Sequence, residues 1–66
     1  MKISVRTDAH GFECAITIDG VDVLQLVPGS RRNRRMAARV AAAMRSLHKS
    51  ELRRIYEEAV EEGEQQ

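Results

Sequence analysis

Disulfides cannot brace this chain, because Cys14 is its single cysteine. Tryptophan is absent, and Phe12 and Tyr56 are the only Phe, Tyr or Trp residues among 66. A domain of about 60 residues hides only about 60% of the surface its unfolded chain exposes. Such small scaffolds usually gain disulfides, a metal or a second copy. Cys14, His10 and His48 match no zinc-ligand spacing, so no metal site is expected. What remains is oligomerisation, and a homodimer or a protein partner is expected.

Other absences narrow the function. No apolar run approaches the ~20 residues of a membrane helix, so no membrane association is expected. Met1-Lys2-Ile3-Ser4 enters alternation at once, which does not resemble a signal peptide. A lone thiol suits a reducing compartment and so a cytoplasmic protein. There is no phosphate-binding loop, dinucleotide fingerprint or metalloprotease motif. Asp8 and His10 lie two apart, but no nucleophile completes a triad. A chain this short hardly encloses a ligand pocket of ~300 Å3. The expectation is a non-enzyme without cofactor or small-molecule substrate. The abundance of Arg and Ala suits a bacterial or phage protein.

Charge is plentiful but unevenly placed. The net value is only +1. Residues 1–28 carry −2. Residues 29–55 carry +8, from nine basic side chains against Glu51 alone, and residues 56–66 carry −5. The near-neutral total conceals this segregation.

The apolar pattern gives one domain over residues 1–66. Residues 2–7 alternate with period two and read as a strand. Asp8-Ala9-His10-Gly11 is turn chemistry. Residues 12–18 alternate again, with Phe12, Cys14, Ile16 and Ile18 on one face. Asp19-Gly20 is the favoured pair of a type I′ hairpin. Residues 21–27 form a third strand, stopped by Pro28-Gly29. A regular hairpin sets Ile18 against Val21, Ile16 against Val23, Cys14 against Gln25 and Phe12 against Val27 on the core face. The outer face then receives Thr17 with Asp22, Ala15 with Leu24 and Glu13 with Leu26. Ala15, Leu24 and Leu26 would form an apolar outer patch, a candidate dimer or partner interface.

Ser30 is an N-cap candidate for a helix running to about His48. Its apolar stripe is Met36, Ala37, Val40, Ala43, Met44 and Leu47. Leu52, Ile55, Tyr56, Ala59 and Val60 form a second stripe that is out of phase with the first. A break near 48–50 is therefore expected, then a second helix over about 51–62 with Ser50 as cap. One long helix docking a different partner on each half is the alternative. Gly63 reads as a stop and residues 63–66 as a frayed tail. The class is α+β: a three-stranded antiparallel meander followed by two helices on one face.

The strongest functional signal is Ser30-Arg31-Arg32-Asn33-Arg34-Arg35. Cations at a helix start oppose its dipole by about 0.3–1 kcal/mol each at low salt. Stability alone would place Asp or Glu there. Helix N-termini and Arg forks both suit phosphate. Arg31, Arg32, Arg34, Arg35, Arg39, Arg45 and Lys49 are the candidate nucleic-acid contacts. No aromatic interleaves the run, which favours a duplex backbone over single strands. A solvated face is the plain alternative, as is neutralisation by the acidic C-terminal segment. Arg53–Glu57 and Arg54–Glu58 are spaced to pair.

Strands followed by Ser30, Arg31, Arg32 and Arg35 at a helix start, then Ala37-Ala38, resemble the C-terminal half of a double-stranded-RNA-binding domain. That resemblance implies duplex contact by the helix start. The chain departs from the family in lacking its first helix and in reducing its Gly-rich loop to Pro28-Gly29. Arg34 also stands where a small residue is usual. Sheet followed by helix is likewise similar to the arm-binding domains of phage integrases, which read DNA with the sheet. The functional expectation is a small nucleic-acid-binding regulator. The alternative is a protein-interaction module, such as a phage-type inhibitor or an assembly adaptor. Cys14 reads as a small buried hydrophobe, and Met36 and Met44 read as core.

Overall fold

A computed structural model describes residues 1–64. The element order is β1 (Ile3–Thr7), β2 (Cys14–Ile18), β3 (Val21–Leu26), α1 (Arg31–Met44) and α2 (Lys49–Glu64). The sheet is an antiparallel meander, β1-β2-β3. Both helices pack on one sheet face, α1 over β1 and β2 and α2 over β3. The result is a flat two-layer body, 32 × 30 × 13 Å along its principal axes.

Both hairpins follow from their turn residues. Asp19 and Gly20 take φ of 49° and 83°, the two positive values of a type I′ loop. Between β1 and β2, the Asp8 carboxylate accepts from the backbone N–H groups of His10 (3.0 Å) and Phe12 (2.9 Å). Gly11 supplies the positive φ of that turn, 71°. Central β2 is buried along its whole length.

The core lies on the helix side. Ile3, Cys14, Ile16 and Ile18 meet Ala37 and Ala41 of α1 and Leu52 of α2. Cys14 is fully buried there, as expected of a small apolar group. Val5, Val23, Leu26, Val40, Met44, Ile55 and Tyr56 pack around that centre. Residues of α2 thus keep the phase read from the sequence.

The register of β3 departs from the regular hairpin. Ile18↔Val21 and Thr17↔Asp22 pair as expected, but the register then shifts between Ile16 and Thr17. Ile16 pairs with Leu24, Ala15 with Gln25 and Cys14 with Leu26, which leaves Val23 as the extra residue of a bulge. One inserted residue reverses every later assignment. Leu26 therefore turns into the core instead of outward, and Gln25 lies on the outer face. Ala15 is fully buried, so Ala15, Leu24 and Leu26 form no apolar outer patch; only Leu24, 44% exposed, remains accessible.

The outer face is closed by charge. Arg6 of β1 forms a two-pronged pair with Asp22 of β3, Nε to Oδ1 at 3.1 Å and Nη2 to Oδ2 at 2.6 Å. Its Nη2 also reaches Glu13 Oε1 at 3.0 Å. Arg6 stands opposite Ala15, and Asp22 opposite Thr17. The clasp thus spans all three strands over two small side chains, both of which are buried. Hydrogen bonding to Arg6 holds the Asp22 carboxyl below its ordinary value. The two carboxylates raise the Arg6 guanidinium further.

Further differences have local causes. Phe12 and Val27 are 70% and 74% exposed, because they lie beyond the ends of the paired strands rather than opposite each other in the core. On α1 the buried stripe centres on Ala37 and Ala41, and Met36 (47% exposed) and Ala43 turn to solvent. The helical stretch divides into two helices. α1 ends at Met44, with Arg45 as its C-cap. α2 begins at Lys49, and the cap is His48 rather than Ser50. The His48 Nδ1 accepts from the Ser50 backbone N–H at 3.1 Å, and its carbonyl accepts from Glu51 and Leu52. Gly63 does not stop α2, which continues to Glu64. The rest of the expected frayed tail lies outside the described residues.

Candidate nucleic-acid interface

Backbone packing fixes where α1 starts. Gly29 donates its N–H to the Gly11 carbonyl at 3.1 Å, locking the β3–α1 connection onto the β1–β2 loop. A Cβ on Gly29 would lie 2.8 Å from the carbonyl oxygens of both Gly11 and Glu13. Ser30 then caps the helix in extended conformation, with its Oγ accepting from the Asn33 N–H at 3.2 Å. The Asn33 amide reaches back to the Pro28 carbonyl at 2.8 Å. The helix start is held by uncharged groups, and no acidic side chain occupies its first turn.

The arginines are consequently left to solvent. Arg31, Arg32, Arg34, Arg35 and Arg39 are all exposed. Among the described residues, the ion pairs involve only Arg6 and Arg54 as cations. Arg31, Arg32, Arg35 and Arg39 line one shallow concavity around Met36. At about 100° per residue, Arg32, Arg35 and Arg39 stand opposite the Ala37–Ala41 stripe, and Arg31 lies at its flank. The arginine face therefore points directly away from the sheet.

The other candidates separate from this group. Arg34 lies outside that concavity. Arg45 turns to the sheet, its Nη2 donating to the Ile3 carbonyl at 2.9 Å. One of its guanidinium N–H groups is therefore held by β1. Lys49 belongs to a second basic cluster at the start of α2, with Arg53 and Arg54. Of the two helix pairs expected from spacing, Arg54–Glu58 forms at 3.5 Å, and both side chains are largely exposed. Such a pair stabilises by about 0.3–0.5 kcal/mol. Arg53–Glu57 does not form among the described residues.

No protein-family model, curated protein or solved structure matches the chain.

Sequence reasoning missed Phe12. Its ring lies 5.7 Å from that of His10, tilted by 39°, on the loop that Gly29 fastens to the start of α1. An exposed aromatic and the arginine helix thus share one end of the molecule. Alternation alone assigned Phe12 to the core; the Asp8 turn that ends the pairing before it was the available signal. No helix among the described residues is long and apolar enough to cross a membrane. No cluster of His, Cys, Asp or Glu among them could hold a metal ion.

Proposed function

We propose that the protein is a small non-enzymatic regulator that binds nucleic acid through duplex phosphates. The contact is the exposed face of α1, led by Arg31, Arg32, Arg35 and Arg39, with Arg34 beside it. One observation carries this reading: Arg31, Arg32 and Arg34 crowd the positive end of a helix dipole, and these three, with Arg35 and Arg39, have no ion-pair partner within the described residues. Their placement costs stability. Phosphate would relieve it, because Arg forks bind phosphate bidentately and the helix end favours anions. A basic face rather than an enclosed groove suits duplex backbone, with affinity that depends on counterion release.

Fluorescence anisotropy with a random 20-base-pair duplex, across a salt series, tests the reading. Binding should weaken steeply with salt. Replacing Arg31 and Arg35 by Ala should reduce the slope of log K against log salt by about two. Replacing Arg45 should reduce that slope less than replacing Arg31 or Arg35, because part of its guanidinium is already held by the Ile3 carbonyl. No binding by micromolar protein at about 50 mM salt, where phosphate contacts are strong, refutes the proposal.

The alternative is a protein-interaction module, and the polar outer sheet face removes one surface offered for it. The same arginine face could instead receive an acidic protein, which duplex-free pull-down would detect.

A further inference from the structure

Met36 interrupts the arginine face. It is 47% exposed, and with Arg31, Arg32, Arg35 and Arg39 it lines one concavity on the outer side of α1. The buried residues of that helix are Ala37 and Ala41, which face the sheet. A single exposed methionine needs no explanation by itself. Its neighbours define the site. Residues three and four apart meet on a helix surface. Arg32 stands four before Met36, and Arg39 three after it. Met36 therefore lies between two guanidinium-bearing neighbours, and exposed Ala43, seven residues on, continues its line.

A ligand that meets both arginines must lie over Met36. Seven residues separate Arg32 from Arg39, about 10 Å along the helix axis. Neither has an ion-pair partner among the described residues. Their ligand needs two anionic edges and an apolar surface between them. The major groove of DNA supplies both. It is about 12 Å wide, phosphates border it, and each A·T pair places a thymine methyl group in it. The minor groove is only about 6 Å wide and shows acceptors alone at A·T pairs. An RNA duplex has a deep, narrow major groove that side chains do not read, and its shallow minor groove displays hydroxyls. Its uracil also lacks the methyl group.

We propose that α1 crosses the major groove of DNA, with Arg32 and Arg39 on phosphates of opposite borders and Met36 on thymine methyl groups between them. Such docking rests on the nucleic-acid reading and narrows its ligand to DNA containing A·T pairs. Phosphate contacts position a protein, and base contacts specify its site. Met36 is thus the specificity-determining residue of a face whose arginines carry the affinity. An RNA duplex, the ligand of the family that the helix start resembles, offers Met36 no such contact.

Fluorescence anisotropy at about 50 mM salt compares three probes of about 20 base pairs and one A·T-rich sequence. They are thymine DNA, the same DNA with deoxyuridine for thymine, and the corresponding RNA duplex. The deoxyuridine probe should bind about fourfold more weakly, the effect of losing one buried methyl group. The RNA probe should bind at least about tenfold more weakly. Met36→Ala should bind thymine and deoxyuridine DNA equally, with the salt slope of the wild type, because no phosphate contact is lost. Met36→Gln repeats the measurement with a side chain of similar length, and circular dichroism checks the fold of both variants. Equal wild-type affinity for thymine and deoxyuridine DNA overturns the proposal and leaves the nucleic-acid reading standing. A preference for RNA does the same, as do Met36 variants that still discriminate. Absence of binding to every probe overturns the nucleic-acid reading and this docking together, and directs the arginine face to an acidic protein.

Discussion

Replacing Gly29 by Ala examines the joint that positions α1. The added methyl carbon would stand 2.8 Å from two backbone carbonyl oxygens, those of Gly11 and Glu13, and 2.9 Å from the Glu13 carbonyl carbon. Neither neighbour is a flexible side-chain end, so the connection or the loop must move. Overpacking of this kind costs about 1–3 kcal/mol. Displacing Gly29 also strains its 3.1 Å bond to Gly11, whose loss adds about 1 kcal/mol. The total, about 2–4 kcal/mol, is a large share of the roughly 3–10 kcal/mol available to a 66-residue domain. At about 4–8 °C per kcal/mol for a domain of this size, Tm should fall by roughly 10–30 °C. Gly63→Ala is the control, because a Cβ there meets nothing within 4 Å. That helical position should gain up to about 1 kcal/mol, raising Tm slightly. Reversible thermal melts by circular dichroism read both variants. If Gly29→Ala melts within about 2 °C of wild type, well below the shift expected for 1 kcal/mol, the close backbone approach is refuted.

Three further outcomes follow from other contacts. Asp22 has a folded-state pKa held below its unfolded value by Arg6. Its contribution is therefore present above the ordinary carboxylate range and is lost as pH falls from about 5 through the depressed value. Asp22→Asn should be less stable than wild type at neutral pH and lose less on acidification; parallel urea midpoints from pH 6 to about pH 3 would contradict this. Ser30→Ala removes the hydroxyl that accepts from Asn33 and should cost about 1 kcal/mol, lowering Tm by about 4–8 °C. Ile16→Ala, at the fully buried centre of β2, should cost about 2–5 kcal/mol and leave a large unfolded fraction at 37 °C; native-like dispersion in a proton NMR spectrum at that temperature would count against the assigned core.

Local chemistry made the architecture legible. Asp19-Gly20 specified its turn because the type I′ loop needs two positive φ values, and the structure has both. The α2 stripe was legible because Leu52, Ile55 and Tyr56 contrast sharply with their charged neighbours. In α1 the contrast is weak: alanines lie all round the helix, so its buried face could be displaced toward Met36 and Ala43 without violating the pattern. The bulge in β3 escaped a strict period of two. Its trace was the odd spacing of Asp22 and Gln25, three residues apart, which no regular strand places on one face. The candidate site was half legible. Arginine at a helix start marked the right segment, but only tertiary contacts distinguish free Arg35 from Arg45, whose long stem reaches a strand 42 residues away.

Arg45 also bears on how the sheet ends. Successive carbonyls of a strand point to opposite sides. The Lys2 carbonyl accepts from Asp19 toward β2, so the Ile3 carbonyl points away from the sheet, where an incoming strand would begin to pair. Arg45 already occupies it. On the opposite border the bulge at Val23 interrupts the straight ladder that a fourth strand would need. A three-stranded sheet this small has two open margins for every central strand. Here a helix-borne cation plugs one and a backbone irregularity warps the other, which discourages growth into a fibril.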